Sequence, residues 1–399
     1  MDTMISRKII YISTTSYSDK INRDWYVKLL SKNRFSVEFW DISNISNNIA
    51  ANKQETVLDG IKIVTNITHN EFSRLLNNNK KVNIIYIILA SFHKQTAKVY
   101  RILNKYKPYT VVFNWGATPE SANFRKKSFY EKILLLKDNQ LPFKNSIKNI
   151  LGAIYCKIIK KLNLIPIHDI CFNAGIGSIS TSYAKKTIDI NLCDYDQYLK
   201  SLNKNITEVN QAVFIDSNVT DNSDIKLNGL IEINPSKYFE SLSKYFEYFE
   251  KKYNTKVIIS SHPTSNYNNN EFLGREVVKL KTAELVSESK YVLSHHSTAV
   301  SYAVLNYKPI TFLMIDEWIG EYEEYANKEM SKSLGCNLIN IDKINSNNDT
   351  DISSVNKHLY DEYKYNYIIS KQAEGKLSSS IIIDEFNKYF SRLNDKSHE

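Results

Sequence analysis

A histidine follows one of the apolar segments of this sequence at the point where that segment ends. Residues 257–260 have the composition of a buried strand, and His262 and Pro263 come shortly after them. Because Pro263 cannot continue a strand, the His262 side chain is expected at the rim of a sheet. The carboxyl edge of a parallel sheet is where α/β folds bind ligands, so His262 is a candidate site residue. The alternative is a histidine that only hydrogen-bonds its own loop.

A pair of hydroxyl side chains follows a second apolar segment. Residues 291–294 are predicted to form a strand, and after two histidines Ser297 and Thr298 precede the apolar helical pattern of residues 299–305. Hydroxyl groups at a helix start cap the helix, and the unpaired N–H groups there, together with the helix dipole, bind phosphate. Capping of the helix would account for one of the two hydroxyl side chains and leave the other unexplained. We favour phosphate binding, because His262 would open onto the same cleft.

These two motifs together resemble the paired nucleotide motifs of bacterial sialyltransferases and Kdo transferases, in which the pair binds CMP. The resemblance covers residues 192–313 and includes blocks similar to bacterial surface-carbohydrate biosynthesis proteins. Those blocks are residues 194–196, 214–216, 274–275, 281–286, 294–298 and 307–309. The resemblance implies a glycosyltransferase of the GT-B type. It would move a nonulosonic acid or Kdo from its CMP-activated form onto a surface-polysaccharide acceptor.

Glycosyl transfer needs a carboxylate, either as the base that deprotonates the acceptor hydroxyl or as a nucleophile. Asp216 follows the apolar run of residues 212–215 and can face the cleft, so it is the preferred catalytic candidate. Asp194 and Asp196 are its rivals. The alternatives are a capping role for Asp216 and solvated loop charges for the other two.

Three more residues are candidates for contacts with the donor. Arg275 can make a two-pronged contact with a phosphate or with the carboxylate of the sugar, and a surface salt bridge is the alternative. Thr282 and Glu284 are assigned to the nucleotide, Glu284 through the ribose. A solvated glutamate on a helix is the alternative for Glu284.

No metal or other cofactor is expected. Asp194 and Asp196 match a DxD pattern by letter, but the inferred fold neutralises phosphate with helix ends and basic side chains. The four cysteines lie far apart, without the spacing of a zinc site. Gly175 and Gly177 lack the third glycine of a dinucleotide fingerprint, and we interpret them as part of an acceptor-side loop.

Short runs rich in Ile, Val, Tyr and Phe alternate with longer mixed segments, which is typical of parallel strands buried on both faces and their crossover helices. The sequence predicts an α/β fold. Strands are expected at residues 8–13, 36–40, 83–89, 110–115, 169–173, 212–215, 256–260, 291–294, 310–314 and 338–341. Helices are expected at residues 22–32, 94–105, 146–162, 235–253 and 378–393.

The polar segment of residues 201–210 separates two such series and marks a domain boundary. With 399 residues the chain is long enough for two domains. We expect two doubly wound Rossmann-like domains with a cleft between them, which is the GT-B architecture. Residues 1–205 would bind the acceptor and residues 206–365 the nucleotide sugar. Residues 366–399 would form a helix that packs back on the first domain.

The net charge of +9 is unevenly distributed. Residues 125–161 contain ten Lys or Arg and two acidic residues. Within this stretch apolar residues from Ile147 to Leu162 recur at helical spacing beside Lys157, Lys160 and Lys161, as in an amphipathic helix. Surface-polysaccharide acceptors are commonly built on lipid carriers, so we expect peripheral attachment to the inner membrane face. The alternative is a core helix with a solvated basic edge.

Other functional classes fit the sequence less well. No apolar run reaches the length of a membrane span and no export signal begins the chain, so a cytoplasmic protein is expected. A CDP-polyol phosphotransferase of the teichoic-acid type is a close alternative. A nucleic-acid-binding protein would fit the charge and the 27 tyrosines, but most of these lie in apolar patterns. The expected partners are a nucleotide-sugar donor and a glycan or lipid-linked glycan acceptor, without nucleic acid.

Overall fold

The computed structural model describes residues 7–47, 53–80, 82–121, 146–178, 184–202, 204, 207–220, 231–267, 270–344 and 351–397. Within them the chain forms two sheets flanked by helices. Residues 8–190 supply an eight-stranded sheet, and residues 209–340 supply a six-stranded sheet. The predicted α/β class with two doubly wound sheets is confirmed.

The strands of the first sheet are β1 (Lys8–Ser13), β2 (Ser36–Asp41), β3 (Gln54–Leu58), β4 (Ile61–Thr65), β5 (Ile84–Ile88), β6 (Tyr109–Asn114), β7 (His168–Ala174) and β8 (Ala184–Ile190). Their order is β3-β4-β2-β1-β5-β6-β7-β8, with β3 antiparallel to β4 and the other pairs parallel. The sequence prediction missed β3, β4 and β8, which lie toward the two edges. Strands there keep polar residues on an exposed face and lack a continuous apolar run.

The strands of the second sheet are β9 (Val209–Ile215), β10 (Lys256–Ser261), β11 (Val277–Lys279), β12 (Ser289–Ser294), β13 (Ile310–Met314) and β14 (Asn337–Asn340). Their order is β11-β10-β9-β12-β13-β14. The chain winds outward from β9 to β10 and β11, and then to the other side through β12, β13 and β14. The switch point of the sheet therefore lies between β9 and β12, and such points bind ligands in doubly wound folds.

The helices are α1 (Asp19–Asp24), α2 (Val27–Lys32), α3 (Ser43–Asn47), α4 (His69–Asn78), α5 (Ala97–Tyr106), α6 (Ser146–Lys161), α7 (Cys193–Leu202), α8 (Pro235–Tyr253), α9 (Thr282–Glu288), α10 (Ser301–Leu305), α11 (Tyr322–Leu334), α12 (Lys357–Tyr363) and α13 (Ser378–Ser397). The helix α8 has its predicted bounds, because the Asn234 side chain caps it and Asn254 ends it in the left-handed conformation. The helix predicted over residues 22–32 is two short helices, because Tyr26 has a φ of 58°.

The C-terminal part of the chain returns to the first sheet. Ile382, Phe386 and Phe390 of α13 are buried in the same apolar cluster as side chains from β1, β2 and β7. The Asp196 carboxylate accepts hydrogen bonds from the backbone N–H groups of Ser378 and Ser379, and it therefore caps α13. This contact gives one aspartate of the DxD pattern a structural role.

The loop that follows β7 packs against residues 364–368. Gly175 has a φ of +73°, and a Cβ atom there would lie 2.5 Å from the carbonyl oxygen of Asn366. A Cβ atom on Gly177 would lie 2.6 Å from the ring of Tyr367. The glycines therefore permit a close approach of two chain segments. The loop interpreted as acceptor-side is a packing contact at these positions.

No helix in the described part of the chain is long and apolar enough to cross a membrane. The helix α6 nevertheless has an exposed apolar face, since Ile154, Ile158 and Leu162 are 47%, 51% and 61% exposed. Ile159 on the other side of the helix is buried. Residues 125–145 of the basic stretch lie outside the described residues.

Candidate functional site

Three adjacent strands of the second sheet end at the same level. Ile215 at the end of β9 pairs with Ser260 of β10 on one side and with Ser294 of β12 on the other. Neighbouring strands lie about 4.8 Å apart, so the loops after β10 and β12 flank the end of β9 at a separation of roughly 10 Å. The structure thus brings His262 and Ser297 to the two sides of Asp216, at the switch point of the sheet.

Asp216 is buried and all of its described contacts lie within the protein. Its Oδ1 atom accepts a hydrogen bond of 2.8 Å from the backbone of Asn218. Its Oδ2 atom accepts three, from the backbone N–H of His262 at 2.9 Å, the Ser265 hydroxyl at 2.9 Å and the Tyr267 hydroxyl at 2.8 Å. Burial, and after it the Asp216 carboxylate, raises the pKa of Tyr267, which keeps this donor protonated. Asp216 therefore fixes the loop that carries His262.

The ring of His262 is oriented by the same loop. Its Nδ1 atom lies 2.8 Å from the hydroxyl of Thr264 and 3.3 Å from the backbone nitrogen of Thr264. A backbone N–H can only donate, so Nδ1 is the acceptor and the ring proton resides on Nε2. Pro263 follows directly and belongs to the turn that begins here. The loop thus holds an imidazole N–H donor at the edge of the sheet.

The two histidines after β12 are uncharged at neutral pH. His295 is buried, with Nε2 2.8 Å from the Tyr238 hydroxyl and Nδ1 2.8 Å from the carbonyl oxygen of Leu313. His296 is partly buried and packs edge-to-face on the ring of Tyr322, with the centroids 5.7 Å apart. Burial lowers the pKa of each histidine to about 4. His295 is therefore a core residue, whereas His296 faces the first turn of α11.

The hydroxyl pair occupies the expected helix start. The Ser297 hydroxyl accepts a hydrogen bond of 3.3 Å from the backbone of Ala299, and the Thr298 side chain is exposed. The helical segment is short, because a single 3₁₀ turn over Thr298–Val300 leads into the five-residue α10. A phosphate here would rely on local N–H and hydroxyl donors more than on a long helix dipole. Phosphate binding stays a prediction.

Arg275 is not brought to these residues. Its guanidinium makes two hydrogen bonds to Glu250 of α8, at 3.1 and 2.7 Å, and lies over the ring of Phe246. Val277 pairs with Ile259, so Arg275 lies level with the start of β10, roughly 16 Å along the strand from His262. Arg275 therefore joins α8 to the opposite edge of the sheet.

The other predicted nucleotide residues lie on α9. The Thr282 hydroxyl is 2.9 Å from that of Ser260, so it borders the end of β10. Glu284 is directed elsewhere and forms an ion pair of 2.8 Å with Lys204. Of these two residues, Thr282 is the one that lies beside the aligned ends of β9, β10 and β12.

Asp194 connects α7, which precedes the six-stranded sheet in the sequence, to α10, which follows β12. It is buried in α7 and accepts hydrogen bonds from the Ser301 hydroxyl at 2.6 Å and the Tyr302 hydroxyl at 3.2 Å. Burial raises the pKa of Asp194. The contact holds α7 against the start of α10. Its catalytic role, like that of Asp216, stays a prediction. Among the described residues, no cluster of three or more His, Cys, Asp or Glu side chains could hold a metal ion.

Glu120 was not predicted from the sequence. It lies where the part of the chain that forms the eight-stranded sheet meets the part that forms the six-stranded sheet. It follows β6, and its Oε1 atom accepts a hydrogen bond from the Thr118 hydroxyl and lies 3.5 Å from the Tyr322 hydroxyl. Its Oε2 atom is buried and has no hydrogen-bond partner among the described residues. Burial raises the pKa of Glu120. Pro119 after a strand end was an available signal, of the same kind that identified His262.

Comparisons with known proteins bear on the fold. No protein-family model and no curated protein sequence matches the chain. Among solved structures, a variant of the wall teichoic acid polymerase TagF has a TM-score of 0.51 at 11% identity, over 99% of this chain and 91% of that one. UGT89C1 from Arabidopsis thaliana gives 0.48 at 8% identity, over 96% and 99% of the two chains. S. aureus MnaA with UDP gives 0.47 at 11%, over 96% and 97%. Together with the sheet topology, the likeness to TagF shows a glycosyltransferase-like GT-B fold.

Proposed function

We propose that this chain is a glycosyltransferase that binds a nucleotide-activated sugar at the carboxyl edge of the six-stranded sheet and transfers the sugar to a glycan acceptor. The observation that carries the proposal is the level ending of β9, β10 and β12, which places His262 and Ser297 on either side of Asp216. Hydroxyl, imidazole and backbone N–H donors at a switch point suit a phosphate-linked ligand.

The proposed donor is a CMP-activated nonulosonic acid or Kdo. Its support is the resemblance of His262-Pro263 and Ser297-Thr298 to paired CMP-binding motifs. In this proposal the loop after β10 contacts the nucleotide, and Ser297 and Thr298 contact its phosphate. Thr282 borders the same edge through its contact with Ser260. No metal is required in this scheme, because protein donors offset the phosphate charge.

A CDP-polyol phosphotransferase of the teichoic-acid type is the second candidate. The wall teichoic acid polymerase TagF shares the fold, although at 11% identity the likeness extends to the fold alone. Both candidates use cytidine nucleotides, so CMP binding supports either. Turnover with a CMP-sugar rather than with a CDP-polyol separates them.

We further propose that the protein is cytoplasmic and attaches peripherally to the inner membrane face through α6. The exposed apolar side chains of Ile154 and Ile158 lie on a helix that ends in Lys160 and Lys161, and the exposed Leu162 directly follows it. Apolar side chains beside lysines suit an anionic lipid surface. Attachment there would bring the protein to a lipid-linked acceptor.

Thermal unfolding in the presence of CMP, CDP, UDP or GDP tests the proposed site. A ligand that binds only the folded state at a hundred times its Kd adds about 2.7 kcal/mol of stability. We expect CMP to raise Tm more than UDP or GDP, and His262→Ala to remove most of the shift. His358→Ala, a change at an exposed helical residue, should retain the shift. Equal shifts with UDP would exclude the CMP assignment, and an unchanged shift in His262→Ala would exclude the site.

A further inference from the structure

Glu120 is a carboxylate of the first half of the chain that faces the second half. It lies six residues beyond the end of β6 and is 3% exposed. The hydroxyl of Tyr322, the first residue of α11, lies 3.5 Å from its Oε1 atom. The ring of Tyr322 packs on His296, which directly precedes Ser297. The side chains of Tyr322 and His296 therefore connect Glu120 to the proposed phosphate-binding residues.

Asp216, Asp194 and Glu120 are buried carboxylates that differ in the contacts of their oxygen atoms. Both oxygens of Asp216 and both oxygens of Asp194 accept hydrogen bonds from protein groups. The Oε1 atom of Glu120 is held by Thr118, whereas Oε2 is buried without a partner in the described part of the chain. A buried acceptor without a partner costs stability, and a hydrogen bond from a bound hydroxyl would remove that cost at Oε2 of Glu120.

We propose that Glu120 is the general base of the reaction, an inference that rests on the proposed glycosyl transfer. The acceptor hydroxyl lies against Oε2 of Glu120. Its oxygen forms a bond to the anomeric carbon of the donor sugar, and the bond between that carbon and the phosphate oxygen breaks. The electron pair of the broken bond leaves with the phosphate, and the hydroxyl proton passes to Oε2.

The surroundings of Glu120 fit this role. Burial raises the pKa of its carboxyl above the usual value, which makes it a stronger base than a solvated glutamate. Thr118 fixes the orientation of the carboxyl through Oε1. Glu120 and Tyr322 come from different halves of the chain, so a small separation of the halves would admit an acceptor to Oε2.

The test uses the full chain and the donor that it turns over. In Glu120→Gln we expect kcat to fall by at least about a hundredfold, the usual size of a lost acid-base contribution. The Tm shift produced by CMP should be unchanged, because Glu120 does not contact the proposed nucleotide residues directly. Glu240→Gln makes the same chemical change at an exposed position of α8 and should leave kcat unchanged.

A second variant separates a base from a structural residue. Formate should restore part of the activity of Glu120→Ala, because a small carboxylate can occupy the vacated position, and it should not restore Asp216→Ala. Turnover of Glu120→Gln within about threefold of the wild type, or an inactive Glu120→Ala that formate does not restore, overturns the assignment. A wild-type protein that transfers no sugar from any nucleotide donor overturns the proposed function itself.

Discussion

At the scale of single residues, Asp216 and His262 form one unit, because the Asp216 carboxylate holds the backbone of the loop that carries the imidazole. Ser265 and Tyr267 bind the same carboxylate oxygen and extend this support along the loop. Sequence spacing identified Asp216 as a candidate base and His262 as a candidate ligand contact, and both roles stay predictions. Their connection depends on the parallel register of β9 and β10, which no local pattern encodes.

The variant Asp216→Asn tests whether the Asp216 carboxylate acts as the catalytic base or supports the loop that carries His262. A base would lose turnover and keep nucleotide affinity. We expect nucleotide affinity to fall instead, because an amide has one acceptor oxygen, and in either orientation its NH2 group faces a protein donor that the carboxylate accepted. Lost bonds to a charged group predict a weakening on the order of 1.5–3 kcal/mol in calorimetric titration with CMP. Asp194→Asn, which removes contacts to Ser301 and Tyr302, is the comparison variant. If Asp216→Asn keeps its affinity for CMP and loses turnover, Asp216 acts as the base.

Glu323 predicts a pH dependence of stability. Its side chain is buried in the first turn of α11, and burial raises its pKa from 4.5 to about 7. A raised carboxyl pKa stabilises the folded state fully below about pH 4.5, and this contribution is lost as the pH rises through 7. Glu323→Gln does not titrate. The stability of Glu323→Gln relative to the wild type, measured as the free energy of unfolding, should therefore be larger at pH 8 than at pH 5 by on the order of 2–3 kcal/mol.

Urea unfolding at the two pH values measures this difference. Glu247→Gln, at an exposed position of α8, is the matched control and should show no such change. If the difference in unfolding free energy between Glu323→Gln and the wild type is the same at pH 5 and pH 8, the Glu323 carboxyl is not protonated in the folded protein near neutral pH.

Among the secondary-structure elements, the central strands and the edge strand β14 were predicted from the sequence, whereas β3, β4, β8 and β11 were missed. Ile9, Ile10, Tyr11 and Ile12 of β1 are fully buried, so the strand has a continuous apolar run. The residues of β3 are exposed throughout, and β8 carries exposed lysines. Such strands form because a neighbouring strand offers hydrogen bonds, and that neighbour is not visible in the local sequence. The capping role of Asp196 could not be predicted from the local sequence either, because the helix that it caps, α13, begins about 180 residues later in the chain.

The helix α6 carries the membrane prediction. We expect vesicles that contain anionic lipid to sediment the protein at low salt and to release it at high salt, since each lysine near such a surface contributes about 1 kcal/mol. Replacement of Lys157, Lys160 and Lys161 by Glu should abolish binding. The same replacements at Lys237, Lys244 and Lys251 of α8 change the charge equally and should preserve it. Equally weak retention by neutral and anionic vesicles would assign the basic helix to a different surface role.

At the scale of the whole molecule, the proposed site combines residues from both sheets. The switch point of the second sheet supplies the proposed nucleotide residues, and the sequence predicted His262, Ser297 and Thr298 there because they closely follow apolar strands. Glu120 was missed because its significance depends on Tyr322, about 200 residues later in the chain. In the described part of the chain, Tyr155 and Tyr307 are the exposed aromatic side chains. This arrangement lacks the row of exposed aromatics that nucleic-acid binding favours.

Hydrogen exchange of the protein with and without CMP locates the bound nucleotide. We expect slower exchange at the backbone amides of residues 216–218, 262–267 and 296–301, which surround the level ends of β9, β10 and β12. Exchange in the eight-stranded sheet should be unchanged by CMP. Protection that appears instead at the ends of β1 and β5, the switch point of the first sheet, would contradict the account, as would the absence of protection in all three segments.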